Sequence, residues 1–177
     1  MKRRVSLLIA ASLALVVLVP SCACADLGFY VDIASGYVLA AKNHGLDIPL
    51  EYEKIPYEPD PSKSCILIDR VTILYRPGDM QAESAALLYM ALDDQEEQDG
   101  KAAYRAASFI EAVESAAPDT ELKNMGFLFI MDIEQRIANA LDEEEKLLNG
   151  EEILIHSGKN ADYYLSFPDE GLVITAK

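Results

Sequence analysis

Two stretches near the start of the chain alternate between apolar and polar residues, which is the pattern of a half-buried β-strand. Residues 27–33 and residues 46–52 both carry apolar side chains at every second position. Pro49 falls on the polar side of the second stretch and cannot donate a hydrogen bond to a neighbouring strand. We therefore expect this strand at an edge of a sheet. Residues 35–43 fit either a short helix that ends at Gly45 or the return arm of a hairpin.

The clearest strand pattern lies at residues 65–75, which are rich in Ile, Leu, Val and Thr. The stretch is almost continuously apolar, so we expect a central strand that is covered on both faces. Asp69 and Arg70 interrupt it and indicate a local bend. Cys65 opens the apolar run and is predicted to be a buried strand residue rather than a reactive thiol.

From Pro77 to Gly150 the spacing of apolar residues predicts three helices. The first begins at Asp79, a good N-cap residue, and reaches residue 92. An acidic linker at 93–100 leads to an alanine-rich second helix at 103–117. The third helix follows the sequence Pro-Asp-Thr and ends at Asn149-Gly150. Its predicted buried stripe consists of Leu122, Met125, Phe129, Ile133, Ile137, Ala140 and Leu141. Residues 127–131 are apolar all round, which places them inside the predicted core.

Three short alternating stretches follow at 153–156, 163–167 and 172–175, separated by turn-forming sequences. They predict a β-meander. The order of strands, three helices and strands predicts an α+β fold. In this fold a largely antiparallel sheet, built from the N-terminal strands and the C-terminal meander, packs against a layer of three helices.

The first residues have the features of a bacterial secretory signal peptide. A cationic start at Lys2, Arg3 and Arg4 precedes fifteen residues, 5–19, that are apolar apart from two serines. A helix of that length spans roughly 22 Å, less than the roughly 30 Å of a bilayer's hydrocarbon core. This length is therefore typical of the apolar region of a signal peptide rather than of a membrane span.

The residues after this run favour cleavage. Ala23 and Ala25 are the small residues that a signal peptidase recognises, so we expect residues 1–25 to be removed before Asp26. Residues 26–177 would then form a single acidic α+β domain, in the periplasm or outside the cell. The alternative is a lipoprotein signal, in which Cys22 is lipidated and anchors the protein to a membrane. A retained N-terminal anchor is the third possibility.

The net charge of the chain restricts the classes of molecule that can bind it. The chain contains 15 Lys and Arg residues and 30 Asp and Glu residues. Loss of residues 1–25 removes three basic residues and leaves 12 against 30 acidic ones, a formal charge of −18. Such a surface repels polyanions. We therefore expect no nucleic-acid partner. We expect membrane association only if Cys22 is lipidated. An unknown protein partner remains possible.

No metal or catalytic motif stands out. The acidic residues 93–100 are the best match to a calcium loop. With Gly100 at the sixth position, however, Ala106 occupies the twelfth, where an EF-hand needs a bidentate Glu. His44 and His156 have no Cys or His at ligand spacing. The sequence therefore predicts no metal site, no cofactor and no identifiable catalytic residue.

These features favour an exported, non-enzymatic interaction or binding module. One alternative is a hydrolase whose catalytic carboxylates no motif marks. Another is a small helical-repeat scaffold within an envelope complex. Residues 80–118 resemble a tetratricopeptide hairpin at Tyr104, Phe109, Ala112 and Pro118, although the Gly and Tyr of that repeat's first helix are missing. A deep polar cleft would favour the hydrolase, and a broad apolar surface the interaction module.

Export with cleavage before Asp26 is directly testable. The protein recovered from its native cells is expected to begin at Asp26, because the cationic start, the short apolar run and the Ala-x-Ala site occur together. N-terminal sequencing with intact-mass analysis measures this. A start at an acylated Cys22 would show lipidation instead, and a retained Met1 would show an anchor.

Overall fold

A computed structural model of the chain describes residues 27–91, 101–115, 127–168 and 171–177. These ranges contain four helices and seven strands. The helices are α1 (Tyr30–Asn43), α2 (Lys101–Ser115), α3 (Phe127–Leu141) and the short α4 (Glu144–Leu148). The strands are β1 (Glu53–Pro56), β2 (Ser64–Ile68), β3 (Val71–Tyr75), β4 (Ala82–Ala91), β5 (Ile153–Ser157), β6 (Asp162–Ser166) and β7 (Gly171–Ala176).

The seven strands form one antiparallel sheet in the order β1-β2-β3-β4-β7-β6-β5. Strands β1 to β4 form one meander and β5 to β7 form a second. The pairing of β4 with β7 joins the two at the centre of the sheet. This arrangement confirms the predicted α+β fold and its largely antiparallel sheet. The C-terminal meander is also confirmed, since each of its strands lies within two residues of its predicted position.

The described helices pack on one face of the sheet, which we call the first face. A row of directly paired residues crosses this face: Ile66, Ile73, Ala85, Ala176 and Tyr163. These residues belong to the same buried cluster as the apolar side chains of α1, α2 and α3. Helix α2 lies in the middle of the helical layer and contacts α1, α3 and the sheet. The main core therefore lies between the first face and the helices.

The strand predicted at 27–33 is wrong, because α1 begins at Tyr30. Tyr30, Ile33 and Tyr37 are buried at helical spacing, whereas Val31 is exposed. A seven-residue window covers about two helical turns, so an alternating and a helical period both fit it. Of the two possibilities for 35–43, the helix is the one observed.

The next two predicted strands are displaced or divided. Residues 46–52 form no strand, and the edge position belongs to β1 instead. Residues 65–75 form two strands, β2 and β3, which a turn at Asp69 and Arg70 connects. Asp69 has a positive φ of 51°, a conformation that Asp tolerates better than most residues. The expectation of complete burial holds for β3, all of whose residues are buried.

The helix predicted from Asp79 to residue 92 is wrong, because β4 occupies most of this segment. Strand β4 pairs with β3 on one side and β7 on the other, and residues 85–89 are buried. A strand that is apolar on both faces shows no alternation, so its leucines and alanines match helical spacing by chance. Asp79 accepts a hydrogen bond from the Gln81 backbone N–H instead of capping a helix. The first helix of the tetratricopeptide-like hairpin is therefore a strand.

The second and third predicted helices exist, but the third is shorter and less buried than predicted. Helix α3 ends at Leu141, and α4 follows and ends near Gly150, whose φ is positive. Phe129 is partly rather than fully buried. Met131 is 50% exposed and Leu141 is 38% exposed. Only one side of α3 meets the core, and Ile133, Ile137 and Ala140 form its buried stripe.

Two substitutions on α3 test this orientation. Ile133 is fully buried, so Ile133→Ala is expected to lower the free energy of unfolding by about 2–5 kcal/mol. Met131 is half exposed, and Met131→Ala is expected to change it by less than about 1 kcal/mol. Denaturant titration of both variants gives the comparison. Equal losses would show that α3 is rotated about its axis.

Candidate functional site

Helix α2 carries three charged side chains into the interior: Arg105, Glu111 and Glu114 are all buried. A buried charge is costly unless it is paired and hydrogen-bonded. The hydrogen-bond partners of these three side chains therefore show whether they form a reactive site or stabilise the fold. The sequence predicted the alanine-rich helix, but it did not predict that these three charges would be enclosed.

Glu114 holds the turn between β5 and β6 against the end of α2. Its Oε1 accepts a hydrogen bond from the Tyr163 hydroxyl at 2.8 Å. Its Oε2 accepts bonds from the backbone N–H groups of Lys159 and Asn160 at 2.8 and 3.1 Å. Burial, followed by the nearby Glu114 carboxylate, raises the pKa of Tyr163 well above its usual value. The phenol therefore remains a proton donor to Glu114 at neutral pH.

The other two buried charges also connect separate elements. Arg105 Nε donates to Asp69 Oδ2 at 3.1 Å, and the Tyr37 hydroxyl donates to the same oxygen at 3.0 Å. These bonds link α2, α1 and the β2–β3 turn. His44 Nε2, just after α1, lies 3.0 Å from Glu111 Oε2. Thus His44, which showed no ligand pattern in the sequence, is a bridge between two helices.

These contacts give no support to a carboxylate-dependent hydrolase. Asp69, Glu111 and Glu114 each accept hydrogen bonds from groups of the fold, as described above. An open groove of about 360 Å³ beside β1 and β2 is lined by a single carboxylate, Glu58, so it lacks the pair that such a reaction needs. Within the described ranges, no three His, Cys, Asp or Glu side chains are placed to hold a metal ion.

His156 is held in an apolar environment. Its ring lies 5.9 Å from that of Phe129 and 5.6 Å from that of Tyr163. Burial, followed by the charge of Arg136, lowers the pKa of His156. The imidazole is therefore neutral at pH 7. The adjacent Ser157 is exposed and has no role in this packing.

The opposite side of the sheet, which we call the second face, is also apolar. Its residues follow from the strand register: one row consists of Leu67, Thr72, Ala86, Thr175, Tyr164 and Leu154. A parallel row consists of Cys65, Leu74 and Ser84, and another of Leu88, Val173 and Ser166. None of these side chains is charged, but Glu53 pairs with Leu67 at one end of the first row, and at the other the Lys177 ammonium lies 5.4 Å from the centre of the Tyr164 ring and pairs with Glu152. In a soluble antiparallel sheet one face is commonly polar and solvated, so this composition needs an explanation.

Six buried residues of this side form a cluster that contains no residue of the described helices: Tyr57, Cys65, Leu74, Ala86, Leu88 and Val173. Tyr57 is the only one of them outside the strands, and it lies beside one end of β2. Cys65 is 1% exposed, which confirms the predicted buried strand residue. Burial raises the pKa of its thiol to about 11, so the thiol is protonated at neutral pH.

Four hydroxyl groups lie on the second face, three of them on residues next to Ala86 and one, that of Ser166, two strands away from it. Thr72 and Thr175 flank Ala86 on the neighbouring strands, Ser84 precedes it on β4, and Ser166 lies on β6. The four hydroxyl oxygens are buried and have no hydrogen-bond partner among the described residues. A buried polar group without a partner costs about 1–3 kcal/mol. The sequence did not predict these unpaired hydroxyls. They distinguish the second face from a protein core in which every buried polar group is hydrogen-bonded.

Comparison of the chain with protein-family models, with curated proteins and with solved structures found no match. No described helix is long and apolar enough to cross a membrane. The signal cleavage position at Ala25 and Asp26, the alternative lipidation at Cys22 and the acidic residues 93–100 lie outside the described residues. The fold and the two faces of the sheet are therefore the basis for assigning a function.

The structural role of Glu114 leads to a prediction about Gly158. A Cβ atom at this position would lie 2.0 Å from Glu114 Oε1. Gly158→Ala would force the carboxylate to move and give up bonds to the β5–β6 turn, which is expected to cost at least about 2 kcal/mol. Gly78→Ala is the matched control, since no heavy atom lies within 4 Å of the added Cβ. Thermal and denaturant unfolding of both variants measure the difference. Equal stability would contradict the role assigned to Glu114.

Proposed function

We propose that this protein is an exported, non-enzymatic interaction module, and that residues 26–177 bind an apolar helical segment of another protein through the second face. The observation that carries this proposal is the set of four buried hydroxyls on the second face that have no partner among the described residues. The other side chains of this face are mainly apolar, and no residue of the described helices belongs to their cluster. An apolar face that the described helices leave unpacked is a candidate site of protein association.

The chemistry of the second face defines what fits it. Leu67, Leu74 and Leu88 lie on the same face as Ala86, whose side chain is much smaller than theirs. The hydroxyls of Thr72 and Thr175 can each donate and accept one or more hydrogen bonds. A partner helix with an apolar surface and a few Ser, Thr or amide side chains satisfies both requirements.

Electrostatics favours a protein partner with basic flanks. The central rows of the second face contain no charged residue. Glu53 is exposed and pairs with Leu67 at the β1 edge, and the Lys177 ammonium lies over the Tyr164 ring toward the other edge. Removal of residues 1–25 leaves a formal charge of −18 on the domain. This charge repels nucleic acid and attracts Lys and Arg residues that flank the apolar part of a partner.

Position-specific photocrosslinking tests the surface. A photoreactive amino acid at Leu67, on the second face, is expected to give an adduct with a second polypeptide in the native cells. The same residue at Leu148, which is 61% exposed on α4, is the control and is expected to give none. Comparable adducts at both positions, or none at Leu67, would contradict the proposal.

Substitution of the second-face hydroxyls distinguishes an effect on partner binding from an effect on the stability of the fold. Thr72→Val and Thr175→Val remove buried hydroxyls that lack a partner while keeping the shape of the side chain. Each is expected to keep or raise the free energy of unfolding by about 1 kcal/mol. The yield of the Leu67 adduct is expected to fall, because the partner loses hydrogen bonds. An adduct yield that these substitutions leave unchanged would show that the hydroxyls do not contact the partner.

A further inference from the structure

We propose that the contact between α3 and β5 is sensitive to pH, and that protonation of His156 releases α3 from the sheet while the other described elements stay folded. This inference concerns the first face of the sheet and is independent of the partner proposed for the second face. It stands on the bulge that turns His156 toward α3, on the two aromatic rings that enclose the imidazole and on the cation that α3 places beside it.

Helix α3 lies at the outer side of the helical layer. It packs against α2 and against β5, and β5 is an edge strand of the sheet. The buried stripe of Ile133, Ile137 and Ala140 holds one side of the helix, whereas the other side is exposed. An element at the edge of a fold can open alone, because local opening breaks fewer contacts than global unfolding. One added charge at the α3–β5 contact can therefore act on α3 without unfolding the sheet.

A β-bulge in β5 turns the imidazole toward α3. The register with β6 shifts between Leu154 and His156 and skips Ile155. Ile155 and His156 therefore both face the helices, where a regular strand would alternate. Ile155 is buried in the main core, and His156 pairs directly with Tyr163 of the first-face row. In a regular strand Ile155 would take the position opposite Tyr163, and His156 would face the other way.

Two aromatic rings enclose the imidazole. The ring of Phe129, on α3, is nearly perpendicular to that of His156, at an interplanar angle of 75°. The ring of Tyr163, on β6, is tilted by 40°. A neutral imidazole packs between these rings as another flat aromatic group. An imidazolium carries a charge and two N–H donors, and this partly apolar space is unfavourable for a charge that lacks a partner.

Charged groups from three elements face His156. Burial, followed by the guanidinium of Arg136 on α3, lowers the pKa of the imidazole. Three carboxylates, from α2, α3 and β6, act in the opposite direction: those of Glu114, Asp132 and Asp162. The lowering effects are the larger, so the environment as a whole opposes protonation.

Two of the three carboxylates already have partners. Glu114 accepts hydrogen bonds from the Tyr163 hydroxyl and from two backbone N–H groups of the β5–β6 turn. Asp132 Oδ2 accepts a bond of 2.8 Å from Arg136 Nε. Arg136 Nη1 donates to the Ile155 carbonyl at 3.4 Å, which keeps the guanidinium one residue away from His156. Protonation therefore adds a positive charge next to an existing one, and release of α3 separates the two.

The direction of the pH effect follows from the lowered pKa. Above about pH 6.5, the ordinary pKa of His, the imidazole is neutral whether α3 is packed or released. Below about pH 6.5 the released state binds a proton that the packed state does not. The packed state therefore loses stability as the pH falls from about 6.5 to its own lowered pKa. One proton of this kind raises the equilibrium constant for release by up to about 25-fold between pH 7 and pH 5.

Hydrogen exchange of the full chain at pH 7 and pH 5 tests the proposal. Protection factors, which correct for the chemical exchange rate at each pH, are expected to fall by up to about 25-fold in α3 and by less than about threefold in β3, β4 and β7. His156→Phe keeps an aromatic ring without a titrating group, and its α3 protection is expected to be equal at both pH values. His44→Gln, at the only other histidine of the chain, is the control and is expected to keep the wild-type fall in α3.

Proton NMR titration measures the imidazole itself. The chain has two histidines, so either histidine variant assigns both resonances. The pKa of His156 is expected below about 6.5 in the wild type and higher in Arg136→Gln. Arg76→Gln, on the β3–β4 turn, is the matched control and is expected to leave it unchanged, since the two arginine side chains are 46% and 52% exposed. An unchanged pKa in Arg136→Gln would contradict the role assigned to the guanidinium.

Three further outcomes would overturn the proposal. Equal α3 protection of the wild type at pH 7 and pH 5 would show that protonation does not release the helix. The same fall in His156→Phe would assign the pH dependence to another group. A His156 pKa at or above about 6.5 would show that the carboxylates and ring faces stabilise the imidazolium. None of these measurements involves the second face, so each leaves the photocrosslinking test at Leu67 intact.

Discussion

Alanine side chains allow α2 to lie between α1, α3 and the sheet, and this position requires each buried charge on the helix to find a partner inside the protein. Twelve of the fifteen residues of α2 are buried, among them Arg105, Glu111 and Glu114. Their partners come from three separate places: the β2–β3 turn, the end of α1 and the β5–β6 turn. Loss of one partner would leave a buried charge unpaired, which typically costs about 3–5 kcal/mol of stability. The charges on α2 therefore fix how the two meanders and the helices sit relative to one another.

This arrangement makes the two faces of the sheet chemically different. On the first face buried polar groups are hydrogen-bonded, as Tyr163 is to Glu114. On the second face Thr72 and Thr175 are equally buried, yet their hydroxyls have no partner among the described residues. Stability of the domain itself would favour valine at both positions. The packing of the described residues does not explain hydroxyls that cost stability, and this is the reason for proposing that another molecule contacts them.

The sequence predicted elements with a clear period, such as β5, β6 and α3, and also β7, which is fully buried but is bounded by turn-forming sequences. The C-terminal strands alternate and were placed within two residues, and the stripe of Ile133, Ile137 and Ala140 on α3 was recognised. Strand β4 was mistaken for a helix because residues 85–89 are apolar on both faces and carry no period. The turn at Asp69 was predicted to be a bend within one strand, because a two-residue turn without Gly or Pro lacks the usual sequence signature of a hairpin. The sequence offered no reason to group the four hydroxyls of the second face, since they come from β3, β4, β6 and β7 and only the strand register places them on one face.

The same register gives the second face its composition. Antiparallel pairing of β4 with β7 places the small Ala86 among apolar and hydroxyl side chains, on a face that is wide enough for one helix. Open apolar surface promotes association, so a face of this kind favours either a specific partner or aggregation. The acidic composition opposes aggregation, since a formal charge of −15 produces repulsion between copies of the chain.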